Sequence, residues 1–251
     1  MREATTDVSD AKRDYPVPED ESKRLKVLQR YDISDLPRDN EFDRLTRIAK
    51  QQLDVPFAAI SFVDEADQVF KSCTEPGLNS TPREKSFCTY TILTEEPLVV
   101  EDTWKDDRFG KGYLEMEEEV RAYAGAPLTT ETNQNLGSFC VVDYEPRTFT
   151  ESDLELLTML RDQTMTLLRS HKQEKDLRIM AHYDSITGFP KRHRFRELFD
   201  QLLEDAASSD RTTAVYHLDV TRFQRVTESM GHSAAETVLE TFADRIKEEL
   251  P

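Results

Sequence analysis

The sequence predicts an α+β chain built as two linked units. Three observations carry this. Short apolar runs separated by tight polar turns fill residues 57–143, a helical pattern without Gly or Pro covers 150–183, and a Gly/Pro break then leads into a helix–strand–helix pattern. A chain of 251 residues is long enough for one large or two modest domains.

The first unit is read as follows. Residues 1–20 are polar and charged and read as a disordered lead. A helix is expected over 39–53, because Phe42, Leu45, Ile48, Ala49 and Leu53 share one face. FAAISFVD (57–64) and QVFKSC (68–73) are strands around an acidic turn. After the turn-rich EPGLNSTPRE and the segment SFCTYTIL come PLVVED (97–102), YAGAPLTT (123–130) and NLGSFCVVD (135–143). The last two are joined by the polar loop ETNQN. Strands that follow one another through short loops imply an antiparallel sheet, with helices on one side.

Thr150-Glu-Ser-Asp153 is a helix start with acids in its first turn. Leu154, Leu157, Leu160, Thr164 and Leu167 then recur at spacings of three and four, and the seam thins after Leu168. Two readings stay open: a helix packed on its own sheet through its first half, or a lever that dimerises by coiled-coil contacts. Thr164 and His171 on the seam make any such coil loose. Gly188 and Pro190 break the helix, with Pro190 placed as a first helical residue. Phe195, Leu198, Phe199, Leu202 and Leu203 form one apolar helix face, and Ala235, Val238, Leu239, Phe242 and Ile246 another. TTAVYHLD (212–219) is the strand between them. One strand cannot make a sheet, so this second unit is expected either to be incomplete or to borrow its pairing from elsewhere.

Charge narrows the function. Lys and Arg total 33 against 50 Asp and Glu, a net charge of −17 that repels nucleic-acid backbones and anionic membranes. No apolar run approaches the ~20 residues of a membrane span, and the N-terminus lacks an apolar leader core. Cys73, Cys88 and Cys140 form no CxxC and are odd in number, which fits a reducing cytoplasm. No His/Cys cluster in the sequence suggests zinc or haem.

Two stretches resemble known families. Residues about 39–150, above all SFCTYTIL, PLVVEDTWKDDRF, YAGAPL and LGSFCVVDYEPRTFT, resemble GAF domains, which are small-molecule sensor modules. Residues 182–251 resemble the first half of a GGDEF domain of the diguanylate cyclase family. The carrying motifs are DSITGFPKR, where that family reads DxLTGLPNR, and LDVTRFQRVTESMGHSAAETVL, where it reads D-x-D-x-F-K-x-I-N-D-x-x-G-H-x-x-G-D-x-x-L. The layout implied is a lead (1–38), a GAF sensor (39–150), a connecting helix (151–182) and a truncated GGDEF-like domain (183–251). The motif that names the family would follow residue 251.

The resemblance implies a chemistry. Diguanylate cyclases join two GTP molecules into cyclic di-GMP, with metal ions neutralising phosphate charge. Asp219 matches the first metal Asp, and Arg222, Phe223 and Gln224 match the phosphate loop. Thr227 stands at the guanine-reading Asn, and Glu236 at a later Asp. Thr221 replaces the second acid, Gln224 a Lys, and Ala235 a Gly. A Thr lacks the paired donor and acceptor of an amide, so guanine discrimination should weaken. The implied domain is degenerate, with GTP and Mg²⁺ as its family ligands, and this chain as written is not expected to be catalytic. Duller readings stand beside these: Asp219 as a strand-end acid, and Ser233-Ala-Ala-Glu236 as a capping box.

In the sensor, Cys88, Tyr90 and Cys140 are the pocket candidates, for a small ligand that the sequence does not name. Thr89 follows Cys88 where bilin-carrying modules usually have His. The cyclic-nucleotide subtype's N-K-x-x-F-D-E is not met, since Asp64-Glu65 has no Asn-Lys before it. Cys88 and Cys140 read either as a redox pair or as inert buried thiols. The function expected is cytoplasmic cyclic di-GMP signalling by a protein that dimerises through its connecting helix. The alternatives are an active cyclase or phosphodiesterase at full length, degenerate GGDEF copies often preceding an EAL phosphodiesterase domain, and a redox GAF enzyme such as a free methionine sulfoxide reductase.

Overall fold

The five apolar runs of the first unit assemble into one sheet, which gains a sixth, short strand from the turn-rich segment EPGLNSTPRE. The computed structural model describes residues 15–33, 40–111, 113–114, 118–208 and 212–249, and the chain separates into two units, residues 1–171 and 172–251. Strands β1 (Phe57–Val63), β2 (Asp67–Cys73), β3 (Ser80–Pro82), β4 (Leu98–Val100), β5 (Ala122–Thr129) and β6 (Asn135–Asp143) lie in the order β3-β2-β1-β6-β5-β4. Every neighbouring pair is antiparallel. The central pair, β1 and β6, is distant in sequence, with Ala59 opposite Cys140 and Ser61 opposite Ser138.

β1 is buried along its whole length, and β5 and β6 nearly so. A strand buried at every residue has both faces covered, which corrects the expectation of helices on one side only. On one face lie α1 (Glu21–Tyr31), α2 (Asn40–Gln52) and the first half of α4 (Glu151–His182). Their Leu28, Phe42, Ala49, Leu157, Leu160 and Leu168 share a core with Ile60, Phe62, Phe139 and Val141. The other face is covered by the short helix α3 (Cys88–Thr91) and by loops that bring in Phe87, Phe109 and Tyr113. These loop aromatics follow no helix or strand period, so no pattern in the sequence announced a second layer.

α1 was not foreseen, and its chemistry explains why. It is seated partly by Arg24, whose Nη1 donates to the Val63 carbonyl at 2.7 Å, and by one buried leucine, Leu28. The expected start of the long helix is formed: Thr150 N donates to Asp153 Oδ2 at 2.9 Å, and Asp153 N to Thr150 Oγ1 at 3.2 Å.

The second unit takes in the end of α4 together with α5 (Arg192–Ala207), α6 (Phe223–Met230) and α7 (His232–Glu249). The turn after α4 is tied by Asp184 Oδ1, which accepts from Ile186 N, Thr187 N and Thr187 Oγ1. Pro190 does not open α5; it pairs with Tyr183 two residues ahead of the helix. The expected strand 212–219 is also absent. Residues 212–220 have no regular structure, and Val215, Tyr216 and Leu218 are exposed, because a strand exists only where a second strand pairs with it. The capping box at Ser233 is not formed either: α7 already begins at His232, so Ser233 lies inside it. Phe195, Leu198, Leu202 and Leu203 remain exposed on α5. Among the described residues, no helix is long and apolar enough to cross a membrane.

Candidate functional site

The buried polar centre of the first unit lies under α3. Its focus is Cys88 Sγ, at the start of α3. Four donors converge on it: Ser138 Oγ at 3.0 Å, Gln68 Nε2 at 3.2 Å, Ser61 Oγ at 3.3 Å and the Tyr123 hydroxyl at 3.5 Å. These side chains come from β6, β2, β1 and β5, so the sheet register assembles the cluster. Cys140 Sγ stands 3.8 Å from Cys88 Sγ, with both thiols free. The Tyr123 hydroxyl also bonds Thr91 Oγ1 at 2.6 Å, which fixes its position.

An aromatic lid closes the cluster. Phe87 stacks on Tyr123 at 5.1 Å and meets Phe109 and Tyr113 at 4.6 and 5.0 Å. Tyr90, the third sequence candidate, packs edge-on to Phe109 at 4.9 Å, in the lid and not at the sulfur. Burial pushes the Cys88 thiol up, but the hydrogen bonds from Cys140, Ser138, Ser61 and Tyr123 outweigh it and hold it below the ordinary thiol range. Cys140 is moved the opposite way, first by its bond to Cys88 and then by burial. The two thiols are thus pushed in opposite directions, Cys88 being the more acidic of the pair.

The fold brings the two candidates Cys88 and Cys140 together. Their partners Ser61, Gln68, Tyr123 and Ser138 were missed. The available signal was polar residues inside apolar runs, Ser61 in FAAISFVD and Ser138 in LGSFCVVD. A mixed-charge open cleft of about 430 Å³ lies elsewhere, lined by Val100, Asp102, Lys105, Asp106, Arg147 and Thr148, and holds none of the sensor candidates.

Cys88 and Cys140 are each only 2% exposed. Access, not thiolate character, then limits their reactivity. In the folded protein a thiol reagent such as Ellman's reagent is expected to leave both unmodified for many minutes and to modify both once denaturant is added. Rapid labelling of Cys88 in the folded state would restore the redox-enzyme alternative.

In the second unit the cyclase-type positions are spread along one stretch. Asp219 is exposed in the irregular segment. Arg222 precedes α6 with φ of 63°, the left-handed region. Phe223, Gln224 and Thr227 lie on α6, where Gln224 Nε2 donates to Glu228 Oε1 at 3.0 Å and Thr227 Oγ1 to the Phe223 carbonyl at 3.4 Å. Glu236 lies on α7. Magnesium demands several oxygen ligands, yet Thr221 offers no carboxylate and Asp219 belongs to no cluster of three acidic, His or Cys ligands among the described residues. These residues by themselves do not fit a resident Mg²⁺. Such a cluster does form from His182, His193 and Glu197, although the sequence showed no His/Cys grouping. The turn at 183–191 folds the first of these back on the other two.

Comparison with known proteins decides the family. Residues 37–168, more than half of the chain, match the GAF domain family. The chain belongs to the GAF domain family. Behind the GAF unit, residues 181–251 match the family described as diguanylate cyclase, GGDEF domain, so both resemblances drawn from the sequence are borne out. A cyclic di-GMP phosphodiesterase of Pseudomonas aeruginosa is 31% identical over 239 residues, covering 94% of this chain and 39% of the relative. A diguanylate cyclase of the same species is 34% identical over 82 residues, covering 33% of this chain and 19% of that protein. The chain thus spans well under two thirds of the length of these relatives. Among solved structures, the GAF domain of an Acinetobacter phosphoenolpyruvate-protein phosphotransferase aligns with a TM-score of 0.46 at 17% identity, over 61% of this chain and 98% of that one.

Proposed function

We propose that this chain acts in cyclic di-GMP signalling, with the GAF unit taking a small-molecule ligand and α4 passing its state to the GGDEF-type unit. The observation that carries this reading is the continuity of α4. One 32-residue helix is buried in the GAF core at Leu157, Leu160, Thr164, Met165 and Leu168 and runs on into the second unit. A ligand that changed the seat of its first half would bias whatever its second half holds.

The second half offers Leu177 and Met180, 67% and 68% exposed, as the seam on which a second copy pairs. The working layout is a lead over 1–38, the sensor over 39–150, the connecting helix over 151–182 and the output over 183–251, in a cytoplasmic homodimer. Cys88 and Cys140, with Tyr90 in the lid, mark the ligand side of the sensor. Asp219, Arg222, Phe223, Gln224, Thr227 and Glu236 mark the face on which GTP would lie, with Mg²⁺ arriving on the nucleotide. Thr227 and Gln224 make that binding weak, which favours a regulatory platform over an active cyclase. Phosphodiesterase activity, named for the Pseudomonas relative, is proposed only for the whole natural protein. Burial of both sulfurs disfavours the reductase reading.

The test is genetic and chemical. Deleting the gene and, separately, overexpressing it should each change cellular cyclic di-GMP several-fold, in opposite directions. Complementation with Leu157→Asp, which unseats α4, should not restore the pool. Pools unchanged in both strains would refute the proposal.

A further inference from the structure

We propose that His182, His193 and Glu197 form a binding site for a borderline divalent cation of the zinc class, and that the bound ion pins the end of α4 to the start of α5. The three residues offer ligand atoms that all lie within 4.8 Å of one another. His182 is the last residue of α4, while His193 and Glu197 lie four apart on one face of α5. His193 Nδ1 and Glu197 Oε1 are 3.2 Å apart. Ligands about 2.1 Å from a tetrahedral zinc ion stand roughly 3.4 Å from each other. That pair is therefore already at ligand spacing, and the wider separations close by rotating imidazoles. His193 is exposed, which provides the entry path.

The backbone beneath the site is fixed. Lys191 N donates to the His182 carbonyl at 2.7 Å, Asp184 N to the Phe189 carbonyl at 2.8 Å, and Gly188 N to the Asp184 carbonyl at 2.9 Å. Glu197 is oriented from outside: Arg194 Nη1 holds its Oε2 at 3.0 Å, leaving Oε1 turned to His193. An outer partner on a ligating carboxylate is the usual means of orienting it. Arg194 also brings a positive charge that lowers affinity for any cation, so binding needs ligands stronger than a carboxylate alone. Two imidazoles supply them, and they select zinc-class ions over magnesium and calcium, which prefer oxygen. Three protein ligands leave at least one position for water or for a group from elsewhere.

The test uses the full 251-residue chain without an affinity tag, titrated with Zn²⁺ and, in parallel, with Mg²⁺ by calorimetry. One Zn²⁺ per chain and no Mg²⁺ binding are expected. His193→Ala and Glu197→Gln should each weaken Zn²⁺ binding tenfold or more, while His217→Ala, an exposed histidine outside the cluster, should leave it unchanged. Co²⁺ bound in place of Zn²⁺ should show no thiolate charge-transfer band, and amide exchange over residues 180–196 should slow when metal is added. Absence of Zn²⁺ binding would overturn the proposal. So would binding that survives the triple change His182→Ala, His193→Ala, Glu197→Gln, or binding that is lost only in Cys73→Ser.

Discussion

Gly137→Ala is expected to destabilise the GAF unit by about 3 kcal/mol or more, the upper end of the overpacking range. A methyl group there would sit 1.9 Å from the Ser61 carbonyl oxygen and 2.7 Å from Phe62 Cα. Both obstacles are backbone of β1, the strand that pairs with β6 at the centre of the sheet, so neither can turn aside as a side chain could. The strands must separate or slide, and either costs ladder hydrogen bonds on both. For a unit of this size the melting temperature should fall by roughly 6–12 °C, measured by calorimetry or near-ultraviolet circular dichroism. An unshifted melting temperature would mean that the central pair is far more compliant than its burial implies.

Glu21→Ala should cost as much, through charge instead of shape. Glu21 Oε1 and Oε2 each accept from Arg24 at 2.8 Å, and Oε1 also accepts from Arg83 at 2.5 Å. Arg24 is 1% exposed and Arg83 is fully buried. Among the described residues Arg83 Nε and Nη2 have no hydrogen-bond partner, and Nη1 otherwise donates to the neutral carbonyls of Asp64 and Glu65, which do not offset its charge. Removing one member of a buried ionic group leaves the rest uncompensated, at roughly 3–5 kcal/mol. Replacing Glu21, Arg24 and Arg83 together by apolar residues of similar volume should recover much of this, because no charge is then left without its partner.

The same network sets a pH dependence. Burial raises the Glu21 carboxyl, but hydrogen bonds and charges from Arg24 and Arg83 outweigh it, so its folded value lies below the ordinary 4.5. A carboxyl lowered on folding adds stability that is fully present above the unfolded value and is lost as pH falls through the folded one. The resistance of the native protein to urea should therefore fall steadily below about pH 4.5, and Glu21→Ala should flatten that part of the slope. Equal midpoints for the variant and the native protein at pH 7 would sink the argument.

Five strands of the first unit were legible because each is a short apolar run bounded by turn residues; β1 ends one residue from the expected limit, whereas β3 lies in the turn-rich EPGLNSTPRE and has no apolar run to announce it. α4 was legible at both ends, through the Thr150–Asp153 box and the Gly188/Pro190 break. α1 was hidden because a buried arginine does much of what a leucine normally does in seating a helix. The strand at 212–219 failed for the opposite reason: its residues favour a strand, but pairing is a property of two segments, and the described residues of the second unit hold no strand for it to pair with. At the site, the two cysteines could be named from sequence. Their hydrogen-bond donors could not, since they come from four strands whose register only the fold supplies. His182 and His193 are separated along the chain by the very turn that brings them together.

The pleat of β6 has one more consequence. Phe139 and Val141 point into the core that holds α4, while Ser138 and Cys140 point into the cluster around Cys88. One layer of backbone is all that lies between the two. β6 is paired along both edges, Cys140 with Ala59 of β1 and with Gly125 of β5, so a displacement of its backbone carries Phe139 and Val141 with it. The sheet is placed like a diaphragm: pressure on one side is felt on the other, with no hinge or loop to absorb it.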